Sequence, residues 1–219
     1  MPHNLLEELL LLSIHDDKGT VLSQVAETLR YGLAGAILAD LGLAGRISLA
    51  DGKRVVVVDP APTGDDLLDE ALQVIQTADR SKKISYWINT LSNSPRKLIK
   101  RLAEKLVAQG ILRDEEKRYL WVIPYAAYPQ ADASAKYWIK QRLRDTVLAG
   151  RPVEARTVAL LSLVKAIGLT EYVFTREERK AARKRIDALV QGDAIGDAVS
   201  EVLAAIEAAT TTAILAAVS

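Results

Sequence analysis

The chain contains no cysteine, which removes disulfides, thiolate nucleophiles and cysteine-ligated zinc and fits a reducing, cytoplasmic compartment. Histidine is nearly absent too. His3 and His15 are the only two, without metal-pair spacing, and His15-Asp16-Asp17 reads as a polar turn. There is no Gly-x-Ser-x-Gly and no phosphate loop ending in Gly-Lys-Ser/Thr. Gly32, Gly35, Gly42 and Gly45 lack the preceding strand that a dinucleotide fingerprint requires. An excess of one charge is also missing: 29 basic against 28 acidic residues leave a net charge of +1, so no global field points to a polyanion. The N-terminus, MPHNLLEELLLL, has no basic region before its apolar run and carries Glu7 and Glu8, so it is not read as a signal peptide. These absences leave no catalytic residue, metal ligand or cofactor site to name, and the expectation is a protein that is not an enzyme.

What is present is a large apolar fraction, 49% of 219 residues, enough for a substantial core. It concentrates in Tyr31 to Arg46, YGLAGAILADLGLAGR, which is apolar or small on nearly every side with one acid, Asp40. A helix without a polar face belongs inside a core. Gly32, Gly35, Ala36, Ala39 and Gly42 allow close approach of neighbouring helices, and at about 16 residues the stretch is short of the ~20 needed to span a bilayer. The last helix, Ala198 to the C-terminus, is interrupted by Glu201 and Glu207.

Around this hub the periodicities predict further elements. Asn4 with Glu7 is an N-cap with its box partner, opening a helix through Leu12, and a second amphipathic segment covers Val21 to Leu29. Arg46 to Leu49 and Arg54 to Val58 flank an Asp51-Gly52 turn as a hairpin. Thr63 is expected to cap a helix striped by Leu67, Leu68, Ala71, Leu72 and Ile75, with Asp66 closing the box. ISYWINTL is a short helix, and Ser94-Pro95 opens another that ends at Gly110. A second hairpin is expected over 111–123, turning at Asp114 to Lys117 and stopping at Pro124. Lys53-Arg54 to Pro60 and Lys117-Arg118 to Pro124 then read as a repeated helix-plus-hairpin unit, by duplication or by convergence on a common small motif. Helices follow over 135–148, 153–167 and 175–190. No linker divides the chain, so residues 1–219 are read as one domain.

Asp65-Asp66-Leu67-Leu68-Asp69 matches a magnesium-binding DDxxD pattern, but acids in a first helical turn are favoured by the helix dipole, and no second such motif exists to share the metals. The basic segments are more informative. Between Arg80 and Arg101 seven positive residues occur without an acid, and Lys136, Lys140, Arg142 and Arg144 follow with Tyr137 and Trp138 among them. A third cluster, Arg176 to Arg185, contains Glu177 and Glu178. Such segregation suggests a positive face for phosphates of lipid headgroups or nucleic acid.

LLEELLLLSIHDDKG at 5–19, GLAGAILADLGLAGRISL at 32–49, APTGDDLLDEAL at 61–72, RLAEKLVAQGIL at 101–112 and KQRL at 140–143 together resemble the Golgi phosphoprotein 3 family. The resemblance runs in the family's order over about two-thirds of the chain, and the chain is read as a compact, prokaryotic-type member lacking a basic N-terminal arm. It implies a mainly α, single-domain helical bundle ringed by amphipathic helices with two small β-hairpins. It further implies a non-enzymatic peripheral membrane adaptor that binds phosphatidylinositol 4-phosphate, at the cytosolic face of the Golgi in eukaryotes. There it holds membrane glycosyltransferases by their cytosolic tails and self-associates through a hairpin, here shortened to LAGRPVEA. The family's headgroup pocket is expected to draw on two positions near the hub, which here carry Val25 and Ala34, and on the KQRL segment. The residues expected at a headgroup are therefore Lys140, Arg142 and Arg144, with Arg30, one turn before Ala34, as a substitute cation.

The alternative is nucleic-acid binding through winged-helix-like units, with Ser94 to Gln109 as recognition helix. Leu98, Ile99, Leu102 and Leu106 would spend one face of that helix on the core, and the acidic tip Asp114-Glu115-Glu116 would repel phosphate, so nucleic acid is the weaker expectation.

Overall fold

The computed structural model describes residues 3–51, 53–93, 95–119, 123–149, 153–191 and 197–218. Its centre is α2 (Leu29–Leu43), the hub, against which α1 (Leu5–Ser13), α4 (Ile84–Leu91), α7 (Ala155–Ala166) and α10 (Asp197–Val218) all pack. Small residues decide how closely. A Cβ on Gly35 would lie 2.9 Å from Leu163 Cδ2 of α7, 3.0 Å from Thr210 Oγ1 and 3.2 Å from Ile206 Cγ2 of α10. Helix–helix contact at that range is open only to glycine, which offsets its poor helix propensity.

The N-terminus of α1 is satisfied from two directions. Asn4 accepts from Glu7 N at 2.8 Å while Glu7 returns to Asn4 N, the capping box read from the sequence. The amides of Leu5 and Leu6 donate to Asp40 of α2 at 3.1 and 3.2 Å. The hub's single acid thus serves as a cap for a neighbouring helix, and every residue of α1 is buried.

Amphipathic helices surround this centre: α3 (Asp66–Gln76), α5 (Pro95–Ala108), α6 (Ser134–Leu148), the short α8 (Thr170–Val173) and α9 (Arg179–Gln191). A three-stranded antiparallel sheet has β2 (Arg54–Val57) between β1 (Ile47–Ala50) and β3 (Lys82–Lys83), and a separate hairpin pairs β4 (Glu115–Tyr119) with β5 (Ile123–Ala127). The class is mainly α, as the sequence implied. Among the described residues no helix is long and apolar enough to cross a membrane.

Several expectations are corrected. Over 21–29 the chain forms only a 3-10 turn at Ser23–Val25 before α2. Val21 bridges back to Ile14, and Leu22 N donates to Ser13 O at 2.8 Å, so the chain doubles back on α1. Leu22, Val25 and Leu29 are buried all the same. The cap of α3 is Asp65, accepting from Leu67 N and Leu68 N at 3.0 and 3.2 Å. Thr63 instead donates to Asp69 through its amide and hydroxyl at 2.6 and 2.7 Å. The first hairpin gains β3 as a third strand, and its Gly52 lies outside the described residues.

The second hairpin is displaced. The acids expected in its turn lie in or beside β4, and Pro124 pairs with Arg118 within β5 rather than ending a strand. In a two-stranded sheet both strands are edges, where proline is tolerated. Lys117-Arg118 therefore sits in a first strand and Lys53-Arg54 at the start of a second, and the proposed internal repeat is not a structural one. Residues 120–122 and residues 150–152 of the LAGRPVEA segment lie outside the described residues. Gly168, at φ +86°, separates α7 from α8, an element the sequence reading missed.

Candidate functional site

Helix α6 carries most of the residues singled out for phosphate contact, and it packs against α1, α7, α8 and α9. Asp132 steadies its start, accepting from Ser134 N at 2.8 Å. Lys136, Ile139, Leu143, Thr146 and Val147 form its buried stripe. Lys136 is an unusual member of that stripe, donating through Nζ to the Ile14 carbonyl and to Asp16 Oδ1, both at 2.5 Å. Burial holds its pKa below the ordinary lysine value against the pull of Asp16, with Lys140 adding to the depression.

Arg142 and Arg144 stand two positions apart, which places them about 200° apart around the helix axis. They turn to different partners. Arg142 Nη2 donates to Glu8 Oε2 of α1 at 2.7 Å. Arg144 makes a two-pronged contact with Glu178, Nη1 to Oε2 and Nη2 to Oε1, both at 2.7 Å, and also reaches the Val173 carbonyl. Glu178 is held below the usual carboxylate range by the Thr175 amide and, against its burial, by Arg144. Arg30 lies over the Tyr31 ring, 4.5 Å from its centroid, and donates to the Tyr31 hydroxyl at 2.7 Å. Among the described residues no hydrogen bond or ion pair links Arg30 to α6, and of the four headgroup candidates Arg142 and Arg144 have ion pairs whereas Lys140 and Arg30 have none.

The outward face of α6 is aromatic rather than basic. Trp138 is 66% exposed and Tyr137 54%, their rings meeting edge to face at 5.3 Å between centroids. Leu148, 43% exposed, lies three turns beyond Tyr137 on its side of the helix, and the half-buried Lys140 lies one turn beyond Tyr137. An exposed indole and phenol combine apolar bodies with polar edges, the composition of a headgroup-depth anchor, and Lys140, without an ion pair among the described residues, stands one turn from Tyr137 though about 200° around the axis from Trp138.

A family model described as Golgi phosphoprotein 3 (GPP34) matches residues 5–206, from the first residue of α1 into α10. The chain belongs to the Golgi phosphoprotein 3 family. Its relatives include Vacuolar protein sorting-associated protein 74 of Schizosaccharomyces pombe, 33% identical over 225 residues, covering 85% of this chain and 65% of the relative. The protein of the same description from Eremothecium gossypii is 34% identical over 176 residues, covering 71% of this chain and 52% of the relative. The chain thus spans between half and two-thirds of the length of these curated relatives.

In this Golgi phosphoprotein 3 family member, Val25 and Ala34 are both fully buried core residues, so neither position offers a cation or an exposed ring. Away from α6, buried and half-buried acids tie the helices around the hub together. Asp40 also faces Arg156 Nη1 at 3.6 Å, and burial pushes its carboxyl up to about 6 from the ordinary 3.8 despite the two amides and Arg156. Glu7 pairs with Lys105 at 2.7 Å, and Lys105 also reaches Asp65. Burial works against the Lys105 ammonium, but these two carboxylates outweigh it and raise its pKa. Asp65 and Asp69 are occupied as a cap and as an acceptor for Thr63 and Gly64, which gives two of the three acids of the DDLLD motif a structural role.

Proposed function

We propose that this protein is a non-enzymatic, Golgi-type peripheral membrane adaptor that attaches to anionic phospholipid, phosphatidylinositol 4-phosphate being the headgroup its family suggests. The exposure of Trp138 and Tyr137, with Lys140 one turn from Tyr137 on the same helix, carries this reading. Trp138 and Tyr137 enter the headgroup layer and Lys140 meets phosphate, worth roughly 1 kcal/mol per basic residue near the surface. Arg142, Arg144 and Arg30, held by Glu8, Glu178 and Tyr31, hold that face in shape and add to its field. An adaptor needs reversible attachment, and two aromatic side chains with one cation of α6 that has no ion pair among the described residues supply it. Retention of membrane glycosyltransferases by their cytosolic tails and self-association belong to the same proposal.

Co-sedimentation with vesicles of phosphatidylcholine containing phosphatidylinositol 4-phosphate, phosphatidylglycerol or no anionic lipid tests it. Trp138→Ala combined with Lys140→Glu is expected to lower the partition into both anionic vesicles at least tenfold, a loss of about 1.4 kcal/mol or more. Unchanged sedimentation of that double variant would refute the membrane reading of α6.

A further inference from the structure

A second feature lies away from α6 and does not depend on the membrane reading. Between α3 and α5 the surface opens into a cleft of about 120 Å³. Its floor is aliphatic: Ile37 of the hub, Leu67 and Ala71 of α3, and Leu98 of α5. The volume is well below the ~300–1,000 Å³ of a small-molecule pocket and close to that of an apolar cavity able to hold one benzene-sized group. It suits a single aliphatic side chain. A recess of this kind also does not suit a lipid surface, which is met by protruding side chains such as Trp138.

The rim states the charge of the occupant. Lys97 and Arg101, one turn apart on α5, stand along one wall. Arg101 Nη1 already holds a carboxylate, Glu70 Oε2 of α3, at 2.5 Å, in a pair exposed at both ends and so cheaply exchanged. Lys97 has no ion pair among the described residues, and the sequence supplies no acid anywhere between Arg80 and Arg101. An aliphatic floor under a positive rim, one cation of which is already seated on a carboxylate, is complementary to an aliphatic residue flanked by acids.

We propose that the α3–α5 cleft docks a short peptide segment of a partner protein that presents one aliphatic side chain between acidic residues. The anchor side chain fills the recess over Ile37 and Ala71, while the flanking carboxylates take Lys97 and compete with Glu70 for Arg101.

An array of immobilised nonapeptides, with Leu or Ser at the centre and Glu, Lys or Ser on both sides, is probed with the full chain. The Leu-centred, Glu-flanked peptides are then measured by fluorescence anisotropy. Retention is expected only when Leu and Glu are present together. Lys97→Glu and Val74→Glu are each expected to weaken it at least tenfold, Val74 being a 42% exposed residue at the cleft. Both substitutions are on solvated positions, and an unchanged thermal unfolding curve verifies the fold. Retention indifferent to the central or flanking residue, or affinity unchanged in both variants, overturns the proposal. So does a cleft in which the variants abolish binding to phosphatidylglycerol vesicles while no peptide is retained, since it would then serve a membrane.

Discussion

Replacing Arg142 by alanine separates two roles that its place in a basic helix superimposes, lipid contact and support of the fold. Its partner Glu8 is 3% exposed, whereas Arg142 is 33% exposed, and the bond between them is 2.7 Å. Removing the guanidinium leaves the Glu8 carboxylate inside the contact of α1 with α6 and without another ion pair among the described residues. Breaking a buried pair from one side costs about 3–5 kcal/mol, and opposite charges near 4 Å attract by about 4 kcal/mol at an effective dielectric constant of 20. Because a third of the arginine is in water, the expected loss is nearer 2–3 kcal/mol. Urea unfolding followed by circular dichroism reads it as a lower midpoint at unchanged slope. Glu8→Leu together with Arg142→Leu is expected to recover most of the loss, with a coupling of about 2 kcal/mol. A loss below about 0.5 kcal/mol, or a double variant no more stable than the worse single one, would refute the assignment of Arg142 to structural support. The comparison bears directly on membrane assays. Reduced vesicle binding by an Arg142 variant reports folding first, whereas Trp138→Ala, at a side chain 66% exposed, is expected to leave the urea midpoint in place.

Gly35→Ala is expected to destabilise by about 1–3 kcal/mol, because its Cβ would meet Leu163 and Thr210 at 2.9 and 3.0 Å; an unchanged melting temperature would contradict close packing at the hub. Asp40 makes stability pH-dependent in the direction opposite to a salt-bridged acid. With its carboxyl raised to about 6 from 3.8, its favourable contribution is fully present below pH 3.8 and is lost as pH rises through 6. The stability of the native chain relative to Asp40→Asn is therefore expected to grow by on the order of 2–3 kcal/mol between pH 7.5 and 4.5. A pH-independent difference in urea midpoints would show that burial does not dominate at this carboxylate.

Helices were legible in this sequence where a period of apolar residues coincided with a local stop signal, as for α5, which ends just before Gly110 at φ +75°. Where two local readings were compatible with the same residues, distant contacts chose between them. Thr63 and Asp65 are both capping residues, and Asp65 is the one that Asn4, 61 residues away, and Lys105, 40 residues away, engage as well. The acidic run after Arg113 reads locally as a turn, yet β4 pairs through Glu115 and Glu116. The basic residues of α6 were equally legible as a group and illegible as a site. Adjacent letters in a helix point to different sides, and the acids that claim Arg142 and Arg144 lie 134 and 34 residues away.

One signal could have anticipated that outcome. Glu7 and Glu8 within LLEELLLL, and Asp40 within the hub, are acids in stretches that must be buried, and a buried carboxylate requires a partner. Three cations of the chain, Lys105, Arg142 and Arg156, are consumed in meeting that requirement. Asp16 and Glu178 take Lys136 and Arg144 in the same way. Of the basic run on α6, Lys140 is the one left free among the described residues. Counting charges along the sequence credits that helix with three or four cations and so with roughly 3–4 kcal/mol of attraction to an anionic surface; pairing within the fold reduces the share of direct contact to roughly 1 kcal/mol. The remainder of any membrane affinity then has to come from apolar insertion, which transfers the weight of the proposal from the arginines to Trp138 and Tyr137 and predicts binding that survives moderate salt better than a purely basic face would.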